Sequence, residues 1–97
     1  MEYKDQYYII RCYAAGVFFG QIEDRKDKEV KLRNARKIWC WDGAAAVEQL
    51  AMTGPRNACG CKITIQVPEM TVMEPVQIIP CTQEAVDTIT RIAEWKI

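Results

Sequence analysis

The chain has 97 residues, with 13 Lys plus Arg against 13 Asp plus Glu, a formal net charge of zero and no histidine. That length is one domain, and 49% hydrophobic with 27% charged residues is the composition of a folded chain. The charge balance excludes the basic excess usual in proteins that grip long nucleic acid, and the missing imidazole removes the commonest general base and metal ligand, so binding is favoured over catalysis.

Residues 7–13 are rich in aromatic and β-branched side chains and predict a strand. Residues 14–16 turn the chain, with Gly16 placed for positive φ. Residues 17–23 predict the returning strand, and Gly20 inside it predicts a bulge or a close backbone approach. Residues 24–28 predict a charged turn. Residues 29–41 are the longest extended candidate. Val30, Leu32, Ile38 and Cys40 share one parity, with Asn34 and Arg36 between them. Polar residues in an apolar row predict a bulge, or a site on that face.

Residues 44–52 predict a helix, with Asp42 as N-cap, Gly54-Pro55 as the stop, and Val47, Leu50 and Ala51 as the buried stripe. Residues 54–60 form a loop. Residues 61–67 alternate as a half-exposed strand, and Pro68-Glu69 turns the chain. Residues 70–80 are extended again, with a break at Pro75. Thr82 caps a final helix over 83–95, whose apolar face is Ala85, Val86, Ile89, Ile92, Ala93 and Ile97. The order β-β-β-α-β-β-α predicts an α+β fold: a small antiparallel sheet of about five strands with two helices, in a single domain over 1–97.

The five cysteines, at 12, 40, 59, 61 and 81, include no CxxC pair, and the start of the chain is polar. Free thiols in a cytoplasmic protein, with no membrane segment, no metal and no cofactor, are the expectation. Tyr7, Tyr8, Phe18, Phe19, Trp39, Trp41, Met70, Met73 and Trp95 are many large groups for one small core. Neighbours such as Phe18 and Phe19 point to opposite strand faces, so a homo-oligomer, dimer or tetramer, is expected to cover the second face.

Residues 10–17 (IRCYAAGV) resemble an IIRxYSAGV opening, and residues 34–45 (NARKIWCWDGAA) resemble NARRIWYWxGA. Residues 60–62 and 78–82 resemble an xCKFSV strand start and an IIPCT boundary. Together, over about residues 7–86, the chain resembles a widespread family of small tailed-phage proteins of unknown function. That family is similar in size and in its lack of catalytic groups to phage sponge proteins. Those proteins oligomerise and sequester the cyclic nucleotide signals of bacterial CBASS and Thoeris defence. The resemblance implies a non-catalytic immune-evasion role in the host cytoplasm. It departs at Ala14, where the family pattern has serine, which removes one hydroxyl from that turn.

The candidate ligand site is the junction from Arg36 to Ala46, with Arg11 and Tyr13 beside it. Trp39 or Trp41 would stack a base, an interaction of ~1–3 kcal/mol. Arg11 and Arg36 would hold phosphates as bidentate forks. Gly43, Ala44 and Ala45 would let an anion approach a helix N-terminus, although a carboxylate at Asp42 opposes an anion there. Arg56 would close over the ligand from the loop. The alternative is that the tryptophan strand packs in the core or is a docking face for a host or virion protein.

Overall fold

The computed structural model describes residues 5–97. The elements are β1 (Tyr7–Cys12), β2 (Gly16–Lys26), β3 (Glu29–Cys40), α1 (Val47–Met52), a 3-10 turn (Ala58–Gly60), β4 (Lys62–Ile63), β5 (Val67–Met73), β6 (Pro75–Pro80) and α2 (Gln83–Thr90). The fold is α+β, an antiparallel sheet with two helices, built from six strands rather than about five. The strand order is β4-β3-β2-β1-β6, and β5 pairs with the other half of β3.

Four boundaries, besides the start of α1 after Ala46, differ from the sequence reading. The charged turn shrinks to Asp27-Lys28, because Asp24 faces Lys31 and Lys26 faces Glu29 across the ladder. Opposite charges in register extend the hairpin instead of ending it. The strand expected over 61–67 keeps two paired residues, because the Thr64 hydroxyl takes over as acceptor from the Lys37 N–H at 2.9 Å. Pro68 and Glu69 lie inside β5, an edge strand where proline removes no needed donor. The real break is Glu74, at φ 55. Finally, α2 stops at Thr90, and the chain runs on to a bridge between Ile63 and Glu94, leaving Ala93 and Ile97 exposed instead of on an apolar helix face.

The expected helix signals are realised at two joints. The Thr82 hydroxyl accepts from the Ala85 N–H at 3.1 Å and donates to the Met52 carbonyl at 2.6 Å, so one side chain caps α2 and ties it to the end of α1. Gly54, at φ +75, ends α1 by donating to Leu50 O at 3.1 Å.

The sheet has two cores. The N–H of Glu74 donates to Lys28 O at 2.6 Å and its carbonyl accepts from the Tyr13 N–H at 3.0 Å. β5 and β6 are therefore one bent strand, bound to β3 before the bend and to β1 after it. The sheet closes on itself around Tyr8, Ile10, Phe18, Ile22, Leu32 and Val72. The helices cover the outer face, over Ile9, Phe19, Ile38 and Ile63. Phe18 is 5% exposed and Phe19 2%, inside one chain. Their burial therefore supplies no argument for an oligomer. The curl needs the bulge at Asn34, which sits at φ 52 opposite Gly20. A Cβ on Gly20 would lie 3.1 Å from Ala35 Cα, so the close approach expected there is real.

Candidate functional site

Arg36 is not a ligand contact. It sits on the helix-facing side of β3 and is 5% exposed. Its Nε donates to Thr64 O at 2.8 Å, Nη1 to Ile89 O at 3.0 Å, and Nη2 to Ile63 O at 3.2 Å and Ile92 O at 3.0 Å. Four of the roughly five guanidinium donors are spent on backbone carbonyls, two of them at the end of α2 where a cation is favoured. Burial pushes its pKa down, opposed by the charge of Glu94. The space beside it, about 100 Å³ between Phe19, Gln66, Thr90 and Glu94, is well under the roughly 300 Å³ at which ligand pockets begin.

The expected helix start at Gly43, Ala44 and Ala45 is a turn. Helix α1 begins after Ala46, is six residues long and has no side-chain cap. Asp42 instead accepts from the Asn57 side chain at 2.7 Å and from the Asn57 N–H, through its carbonyl, at 3.3 Å. Gly43, at φ +88, accepts from the Arg56 N–H at 3.1 Å. These bonds pin the loop carrying the exposed Arg56 to the turn, so no phosphate-sized approach to free helix donors exists there. Trp41 lies half-buried against the helix-side core, and its indole N–H donates to Ala44 O at 3.3 Å.

Trp39 has the opposite fate. It is 57% exposed and lies parallel to Trp95, which is 44% exposed, with ring centroids 6.1 Å apart and planes 7° apart. The ammonium of Lys37 lies 5.9 Å from the Trp39 ring, and that of Lys62 lies 5.4 Å from the Trp95 ring. Such distances are cation–π contacts. Neither lysine has a salt bridge among the described residues. The stem of Lys37 crosses Gly16, where an added Cβ would meet Cε at 3.2 Å. Strand alternation explains the pairing: Ile38 and Ile63 face the helices, so Trp39 and Lys62 face away.

The remaining candidates lie elsewhere. Arg11 is exposed on β1, between Val17 and Gln77. The carboxyl of Glu48 is held below its usual range by the Gln77 amide at 2.8 Å, by its own backbone N–H and by the charge of Arg11. Tyr13, 80% exposed, stands on the rim of a cleft of about 490 Å³ formed with Arg25, Asp27, Lys28, Glu74, Pro75 and Val76. The structure thus brings Trp39 together with Lys37, Lys62 and Trp95. It separates Trp39 from Arg36, Trp41 and Tyr13. The sequence reading left Lys37 out, grouped Lys62 with Arg56 in the loop, and did not place Trp95 beside Trp39. Lys37 shares the parity of Trp39, which was the available signal; Trp95 was hidden by the expectation of a longer helix.

No helix among the described residues is long and apolar enough to cross a membrane, and all five cysteines are unpaired. No curated protein and no solved structure matches the chain. Residues 5–89 match the domain of unknown function DUF6948, nearly the whole of the sheet and both helices, and the chain belongs to that family.

Proposed function

We propose that this protein is a non-catalytic binding protein that holds a small anionic nucleotide on the Trp39–Trp95 face. The observation that carries the reading is the pair of exposed, parallel indoles flanked by two lysines that have no salt bridge among the described residues. Indole faces accept any base, at ~1–3 kcal/mol per stacked base. Lys37 and Lys62 supply the charge for phosphates, in place of the arginines expected from sequence. The rings already touch as an offset pair, so a base stacks on their outward faces. The finer reading is sequestration of a cyclic nucleotide defence signal by a phage protein, as a homo-oligomer in the host cytoplasm. It rests on the resemblance to sponge proteins and on the five free thiols, which suit a reducing compartment.

A thermal-shift panel of cyclic dinucleotides, cyclic trinucleotides and cyclic ADP-ribose isomers tests it, with tryptophan fluorescence as the second readout. One class should raise the melting temperature and quench the indoles. Trp39→Ala should weaken binding by about tenfold or more, and heat should release the ligand chemically unchanged. A flat panel rejects the reading. It would favour the second one, a docking face for a host or virion protein, which draws on the same exposure of Trp39 and Trp95. Recovery of hydrolysed ligand would replace binding with catalysis.

A further inference from the structure

The cleft of about 490 Å³ on whose rim Tyr13 stands shares no residue with the indole face, and its volume is within the range of small-molecule sites. Three segments build it. The hairpin end between β2 and β3 supplies Arg25, Asp27 and Lys28. The bend between β5 and β6 supplies Glu74, Pro75 and Val76, and the turn after β1 supplies Tyr13. One residue ties the three together: the Glu74 N–H donates to Lys28 O at 2.6 Å, and its carbonyl accepts from the Tyr13 N–H at 3.0 Å. The walls are therefore held in place before anything binds.

The charges of the cleft are balanced and unpaired. Two cations and two anions line it, all four exposed, and none of these side chains makes a hydrogen bond or salt bridge among the described residues. On the adjoining stretch of β2, β3 and β5 such charges do pair, Arg33 with Glu23 at 3.0 Å and Lys31 with Glu69 at 3.1 Å. Between the charged groups the surface is apolar: Val76 is 55% exposed and Tyr13 80%. A smaller cleft of about 210 Å³ continues past Val76 to Ile78. Glu74 is a poor choice for a bend that needs only shape. Its φ of 55 is the left-handed region, which strains a glutamate and suits glycine. The bend therefore keeps an exposed carboxylate that its own geometry disfavours, and strain of this kind gathers at functional sites.

We infer that this cleft binds a free α-amino acid with an apolar or aromatic side chain. The ammonium docks on Glu74 and Asp27, the carboxylate on Arg25 and Lys28, and the side chain lies over Val76 towards Tyr13. The charge balance selects the class. A simple anion is repelled by Asp27 and Glu74 and a simple cation by Arg25 and Lys28, whereas a zwitterion is attracted by both pairs. The signs alternate along the hairpin end, Arg25, Asp27, Lys28, so the ligand's two charges must lie close together, as they do on one α-carbon. The exposed Tyr13 and Val76 give its side chain an apolar surface to cover.

An NMR titration of the full chain, following the amides of Tyr13, Lys28 and Val76, tests this. The probes are L-phenylalanine, N-acetyl-L-phenylalanine, which keeps only the carboxylate, and L-phenylalanine amide, which keeps only the ammonium. L-phenylalanine should give saturable shifts with a dissociation constant below about 1 mM, and each analogue should bind at least about tenfold more weakly. Glu74→Gly relieves the strained φ, so it should not lower the melting temperature, yet it should weaken L-phenylalanine at least about tenfold. Absence of saturable shifts up to about 10 mM L-phenylalanine overturns the inference. So does equal binding of the zwitterion and either analogue, which would mean that the ring or a single charge is all the cleft reads. Undiminished binding by Glu74→Gly overturns it as well.

Discussion

Replacing Arg36 should cost this protein a large part of its stability. The guanidinium links β3 to β4, to Thr64 and to the end of α2 through four carbonyls, at 2.8 to 3.2 Å. Arg36→Met keeps most of the stem and removes every donor. Hydrogen bonds to a charged group contribute about 1.5–3 kcal/mol each, but they act as a unit and water can reach part of the space, so simple addition overshoots. A loss of about 3–5 kcal/mol is expected, against a total near 5–15 kcal/mol for a domain. Arg36→Lys restores the charge but presents its donors from a single point, which cannot reach four carbonyls on two segments, 63–64 and 89–92. It should recover less than half of the loss. Urea unfolding followed by far-UV circular dichroism measures both variants, and an unchanged m-value confirms that the same surface is exposed. If Arg36→Met lies within about 1 kcal/mol of the parent, the guanidinium is not the tie described here. If Arg36→Met instead retains its stability and loses nucleotide binding, the ligand role expected from sequence is restored.

Two further outcomes follow from local geometry. Gly43→Ala should destabilise by about 2–4 kcal/mol in the same assay, because φ is +88 and the new Cβ would stand 2.7 Å from the backbone nitrogens of Arg56 and Asn57. Gly16→Ala should cost about 1–3 kcal/mol, because its φ of +109 strains any side chain even though its near neighbour is the flexible end of Lys37; a loss larger than that of Gly43→Ala would contradict the contrast. Burial pushes the Cys81 thiol up to about 12 from its ordinary 9.0. Below the lower value both states hold the proton; between the two only the unfolded chain ionises, so stability falls as pH rises. The stability gap between the parent and Cys81→Ala should narrow by about 1.4 kcal/mol from about pH 8 to about pH 10. A gap that stays constant with pH would show the thiol to be open to solvent.

Much of the fold was legible because it rests on local rules. Thr82 caps α2, Gly54 ends α1, and Asn34 with Gly20 marks the bulge, each through chemistry within a few residues or one ladder step. The class followed from hairpins without crossovers. The candidate site was legible only in part. Trp39 was found, while the basic groups beside it were sought at Arg36 and Arg11 instead of Lys37 and Lys62.

What the sequence by itself determined is therefore the α+β class, the rough order of elements, the stop of α1 at Gly54 and the start of α2 at Thr82. Only the tertiary structure decided which strand face is inside. Alternation cannot separate a side chain that needs a partner subunit from one that the chain covers itself. Here the closing of the sheet by the bent β5–β6 strand encloses Phe18, and the helices cover Phe19. Nor can alternation tell a ligand-seeking arginine from a buried tie. The carbonyls that satisfy Arg36 lie 27 to 56 residues away, and the ring that stacks on Trp39 comes from the far end of the chain. Such long-range partners are fixed by how the sheet closes, which no local pattern encodes.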